Sequence, residues 1–201
     1  MTNPAFIGYP ALLDLAGSRR VVVFGGYSGL GYADPDGLGS LLRIMVGEAG
    51  DHVLYVGGAT RAGIGLAYSL IPAFASELGL RDIATAGIVS RNASPDDLAR
   101  QDAVVFVDTA PGDWSVIVGG RSLMVDIAAD SGGAMVYFGG GGTARGELLE
   151  ASRRGVPTVL VDDPAARPAP GAPAGLTAVS DARLAGIRRW RRGLDCPMLP
   201  T

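Results

Sequence analysis

The stretch Arg20-Val21-Val22-Val23-Phe24-Gly25-Gly26-Tyr27-Ser28-Gly29-Leu30-Gly31 decides how the rest of the chain is read. Its first half is a continuous apolar run without polar alternation, the pattern of a strand buried on both faces. Its second half is rich in glycine, which frees the backbone for a tight turn. Residues 38–48 follow with leucine, isoleucine, methionine and valine at helical spacing. Strand, glycine turn and helix together make the repeating unit of a parallel sheet.

The unit recurs along the chain. Residues 52–56 read as a second strand closed by Gly57-Gly58, and 64–78 as a second helix. A third strand is expected at 83–89. Residues 95–100 suit a short helix, with Ser94 as N-cap. A fourth strand (103–107), a helix (121–129), a fifth strand (134–138), a helix (143–154) and a sixth strand (158–161) complete the alternation. The expectation is an α/β fold, a Rossmann-like doubly wound parallel sheet flanked by helices. One domain over 1–201 is expected, with its core at 20–162. The Pro/Ala/Gly-rich segment 165–175 reads as a surface loop. The C-terminal part, 176–201, reads as a short strand near 176–179, a last helix at 181–192 and a tail.

Composition excludes several chemistries. All 17 basic residues are arginine, so the chain has no lysine for a Walker-A loop or a pyridoxal-phosphate Schiff base. One histidine (His52) and one cysteine (Cys196) rule out an ordinary His/Cys zinc site within one chain, and no metal or resident cofactor is expected. His52 heads a strand away from the glycine loops and reads as structural; Cys196 reads as incidental. A net charge of −3 leaves no overall footprint for nucleic acid. The Arg188-Arg-Trp-Arg-Arg192 run is the one basic concentration, read as a solvated face or a subunit contact. No signal peptide and no apolar stretch of membrane-spanning length is seen, so a cytoplasmic setting is expected.

Glycine supplies 31 of 201 residues, and much of it falls in three clusters that each follow a strand. These are Gly25 to Gly31, Gly57 to Gly63, and Gly139-Gly140-Gly141-Gly142. In a parallel sheet they share the carboxyl edge, where open α/β folds bind ligands. Backbone N–H groups and a helix N-terminus at each loop suit a phosphate. The second cluster also invites a short-chain dehydrogenase reading. That fingerprint belongs on the first strand, however, and its Tyr-x-x-x-Lys pair is impossible here.

The third cluster is the most specific. Phe138-Gly-Gly-Gly-Gly-Thr143-Ala-Arg-Gly-Glu147-Leu-Leu-Glu150 resembles the Pro-Gly-Gly-x-Gly-Thr-x-x-Glu motif of LOG-type phosphoribohydrolases, within the SLOG superfamily of Rossmann-like nucleotide-binding proteins. Arg121-Ser-Leu-Met124 resembles the Arg-Lys-x-x-Met segment of that family. The first two glycine loops fall at the family's positions, so the resemblance covers about residues 20–162. Three departures stand out. Phe138 replaces the proline, Glu147 lies four residues beyond Thr143 instead of three, and Ser122 replaces the lysine.

The resemblance implies hydrolysis of the N-glycosidic bond of a nucleoside 5′-monophosphate, whose oxocarbenium-like transition state calls for a carboxylate near the anomeric carbon. It implies Glu147 and Arg121 as catalytic residues. Gly139, Gly140, Gly141, Gly142 and Thr143 would hold phosphate, with Gly25, Gly26, Ser28, Gly57, Gly58 and Thr60 contributing from the other loops. Glu150 is a further candidate, although an i,i+4 pair with Arg154 explains it equally well. Glu147 also has a bland reading, as a carboxylate in the first helical turn favoured by the helix dipole. Trp114 either stacks on a base or caps the core, and Tyr27 either touches ligand or packs the loop. A homodimer is expected, because family sites lie near a subunit interface. The first reading is therefore a phosphoribohydrolase; the alternative, for which the departures speak, is a non-catalytic nucleotide or molybdenum-cofactor binding protein, acting as carrier or sensor.

Overall fold

The computed structural model describes residues 4–171, 182–193 and 197–199. Eight strands form one sheet: β1 (Ala5–Phe6), β2 (Arg20–Gly26), β3 (Val53–Gly58), β4 (Ile83–Ser90), β5 (Ala103–Val107), β8 (Ala134–Phe138), β9 (Thr158–Val161) and β10 (Arg188–Trp190). Between β5 and β8 lies a separate hairpin of β6 (Ile117–Val118) and β7 (Arg121–Ser122). Every pairing within the large sheet is parallel, in the order β1-β5-β4-β3-β2-β8-β9-β10.

Among the described residues, five α-helices cover the sheet: α1 (Tyr9–Ala16), α2 (Pro35–Ala49), α3 (Ala67–Glu77), α4 (Leu123–Asp130) and α5 (Gly142–Arg153). Strand alternation distributes the core between two layers. Val21 and Val23 of β2 join α1, α4 and α5 on one face, while Val22 and Phe24 join α2 and α3 on the other. The expected doubly wound α/β architecture is therefore present.

Differences from the sequence reading gather where local pattern is weakest. β1, α1 and the β6–β7 hairpin were not expected, because each is short or lacks clear periodicity. The helix expected at 121–129 begins at Leu123, and Arg121–Ser122 belongs to the hairpin. Ser122 accepts from the Met124 N–H and so caps the helix. The last helix is replaced by a 3₁₀ turn, Ala182–Leu184, and the strand β10. Pairing with β9 buries Ile187 and Trp190 on opposite faces of the sheet, and that tertiary gain overrides the helical propensity of an arginine-rich segment. The strand expected at 176–179 and Cys196 lie outside the described residues. Of the loop expected at 165–175, Pro164–Ala166 form a 3₁₀ turn whose two alanines are buried against α2.

β2 and β3 approach closely on the α2/α3 side. A Cβ added at Gly57 would fall 2.6 Å from the Phe24 ring, itself fully buried. Gly57→Ala is expected to destabilise the fold by about 1–3 kcal/mol through overpacking. Urea denaturation would measure the loss, and a second change, Phe24→Leu, should restore part of it.

Candidate functional site

Strand order reverses at the β2–β8 boundary. The chain leaving β2 runs to α2 on one face, and the chain leaving β8 runs to α5 on the other. Their loops diverge and open a crevice at the carboxyl edge, the position at which doubly wound sheets bind ligands. A cleft of about 240 Å³ occupies it. Gly25, Gly26, Gly58 and Thr60 line it from the ends of β2 and β3. Tyr137, Thr143 and Glu147 line it from β8 and α5, and Trp114 and Val116 from the segment before the hairpin. A smaller recess of about 140 Å³ lies between the 27–30 loop and Gly141, Gly142, Thr143 and Ala144. Both cavities share Gly26, Ser28, Thr143 and Ala144, so they adjoin.

Specific bonds hold the loops in place. The Tyr32 hydroxyl donates to the Phe138 carbonyl (2.9 Å) and accepts the Tyr27 N–H (3.0 Å), tying the first glycine loop to the end of β8. Ile64 N–H donates to the Tyr27 carbonyl at 2.7 Å, which couples the second loop to the first. Gly139 and Gly140, with φ of 71° and 113°, make the turn into α5. A side chain at Gly139 would strike the Tyr27 ring and the Ala166 carbonyl. The helix opens with Gly141 as N-cap and starts at Gly142, one residue before the expected start, and its first bond runs from Arg145 N–H to the Gly141 carbonyl. The N–H groups ahead of Arg145 lack intrahelical partners, as at any helix start, a setting that suits an anion.

Glu147 sits in the second turn of α5, not the first, and is buried (8% exposed) in the cleft wall. The Tyr137 hydroxyl donates to one carboxyl oxygen at 2.6 Å and the Ser122 hydroxyl to the other at 3.0 Å. Burial pushes the Glu147 carboxyl above its ordinary range. The two hydrogen bonds oppose that rise, and the charge of Glu150 adds to it. The dipole-only reading thus loses its geometric basis. Gly25 has a packing duty here as well: a Cβ on it would lie 2.3 Å from the Tyr137 ring.

Trp114 is 61% exposed at the cleft mouth. A polar clasp fixes the backbone just before it. Ser90 and Thr109 hydroxyls donate to the Asp113 carbonyl at 2.8 Å each, and the Asn92 amide reaches the Ala110 and Asp113 carbonyls at 2.8 and 2.9 Å. Tyr137 and this clasp were missed in the sequence. The tyrosine is hidden in an apolar strand, and the clasp residues come from two separate strand ends.

The cleft thus gathers Gly25, Gly26, Ser28, Gly58, Thr60, Thr143, Trp114 and Glu147, and the recess adds Gly141 and Gly142. Five candidates lie elsewhere. Gly57 packs on Phe24, while Gly139 and Gly140 shape the turn behind the site. Arg121 is exposed on the hairpin, 3.5 Å from Asp126, and does not line either cavity. Glu150 also stays outside: it accepts from Ser122 N–H at 3.1 Å and from Arg154 at 3.2 Å. His52 bonds Asp82 at 3.1 Å, ahead of β3 and so at the opposite edge of the sheet. Among the described residues, no group of three or more His, Cys, Asp or Glu is placed to hold a metal ion, and no helix is long and apolar enough to cross a membrane.

The fold is an α/β doubly wound sheet with a cleft at its switch point. No protein-family model and no curated protein matches the sequence. Among solved structures the chain is similar to the molybdenum cofactor carrier protein of Chlamydomonas reinhardtii, with a TM-score of 0.45 and 15% identity. The likeness covers 71% of this chain and 76% of that one.

The buried carboxyl gives a pH prediction. Its folded-state proton affinity exceeds the unfolded one, so its contribution is fully present below the unfolded value of 4.5 and is lost as pH rises through the folded value. Glu147→Gln removes that dependence. As pH rises above about 4.5, denaturant midpoints should fall more for the natural chain than for the variant.

Proposed function

We propose that this protein binds a phosphate-bearing, nucleotide-like small molecule without converting it, as a carrier or sensor. The observation that carries this reading is the recess at the start of α5 opening directly into the cleft. Unpaired helix N–H groups, Ser28 and Thr143 suit the phosphate, and Trp114 at the mouth suits a flat heterocycle. A nucleotide meets these requirements, and so does a phosphate-bearing pterin of the molybdenum-cofactor type. A homodimer belongs to the same reading, with the exposed hairpin beside the cleft as the contact.

Binding without chemistry is favoured over glycosidic hydrolysis by two placements. Arg121 is directed to Asp126 on the hairpin side. Ser122, where the LOG-type motif has lysine, is already engaged with Glu147. One placement supports hydrolysis as a second reading. Glu147 lines the cleft five residues beyond Gly142, about 7.5 Å along the helix. From there a carboxylate would reach a sugar whose phosphate sat at the helix start.

Trp114 is exposed whereas Trp190 is buried, so ligand titration followed by tryptophan fluorescence reports on the cleft. Saturable quenching by AMP, GMP or a pterin phosphate is expected, and Trp114→Phe should abolish it. Absence of binding by every phosphate-bearing heterocycle would sink the proposal. Chromatography of the same mixtures distinguishes the two readings: free base released by the natural chain but not by Glu147→Gln would replace binding with hydrolysis.

A further inference from the structure

Charge is unevenly distributed along the cleft. At one end are the opening N–H groups of α5 with glycine, serine and threonine, a setting for an anion. Farther in, the Glu147 carboxyl forms part of the wall, and no arginine or histidine is among the described residues that line either cavity. Two arginines on the neighbouring elements are committed elsewhere. Arg121 is directed to Asp126, and Arg154 pairs with Asp126 at 2.6 Å and Glu150 at 3.2 Å. Glu147 therefore has two neutral donors, Tyr137 and Ser122, and a negative neighbour, Glu150.

In its ionised form such a group has no counter-charge beside it. A desolvated carboxylate is costly until a cation joins it, and each of its oxygens retains a further acceptor site after accepting one hydrogen bond. Trp114 stands at the mouth of the same cleft, and an indole face attracts cations. Between the start of α5 and Glu147 there is about 7.5 Å of helix, the room needed for a sugar joining phosphate to ring.

We propose that the ligand carries a positive charge on its ring, held between the Glu147 carboxylate and Trp114, while its phosphate sits at the start of α5. The chemical class is a nucleotide with a pyridinium or N-alkylated purine base. This inference rests on the nucleotide reading above and sharpens it.

A matched pair of probes tests it on the full-length chain. Nicotinamide mononucleotide carries a pyridinium cation. Its reduced form has the same ribose and phosphate but an uncharged ring. Calorimetric titration should show the oxidised form binding more than about tenfold tighter, and Glu147→Gln should bring the two within about twofold. The comparison on the natural chain requires no variant to fold. Equal affinities for the two forms, or a preference that Glu147→Gln leaves undiminished, would overturn the inference. If AMP binds under those conditions, the nucleotide reading stands without it. If AMP, inorganic phosphate and both nicotinamide nucleotides all fail to bind, both readings fall together.

Discussion

The register between β2 and β8 is the constraint on which the site depends. Gly25 lies opposite Tyr137 and Gly26 opposite Phe138, at the boundary where strand order reverses. That register places a residue without a side chain beside a large ring, and the ring needs the space. It also brings the first and third glycine loops together, so that Tyr32 can bond both. A slip of one residue would turn Tyr137 to the other face of the sheet. Glu147 would then lose one of its two donors, and the first loop its tie to the end of β8.

From that register the electrostatics follow. Tyr137 emerges on the face covered by α4 and α5, and α5 presents Glu147 back toward it. Ser122 serves two groups at once, capping α4 and donating to Glu147, while its own N–H binds Glu150. Glu150, Arg154 and Asp126 then carry the polar network to the surface. The result separates two carboxyls on one helix. Glu150 is satisfied by arginine outside the cleft, and Glu147 is held inside by neutral donors. A lysine at position 122 would have neutralised the inner carboxyl. The serine is an uncharged donor to it.

Much of the fold was legible because parallel strands buried on both faces announce themselves as unbroken apolar runs. The six strands at the centre of the reading, the glycine loops after three of them and the carboxyl-edge location were all accessible that way. Short elements were not. β1 has two residues, and the hairpin strands two each, too few for any period to register. β10 was read as helix because its three residues become a strand only through their neighbour β9. Arg121 was placed in a helix and assigned to the site by a motif, whereas the hairpin carries it away.

The sequence by itself determined the α/β class, the glycine-lined edge and the exclusion of chemistries that need lysine, because these depend on composition and on contacts close along the chain. Which of the candidate residues face one another was settled by tertiary structure alone. The Ser122–Glu147–Tyr137 arrangement joins residues separated by 25 and 10 positions, and the clasp before Trp114 joins two strand ends. Side-chain direction, burial and hydrogen-bond partnership arise from packing between elements, and no local pattern encodes them.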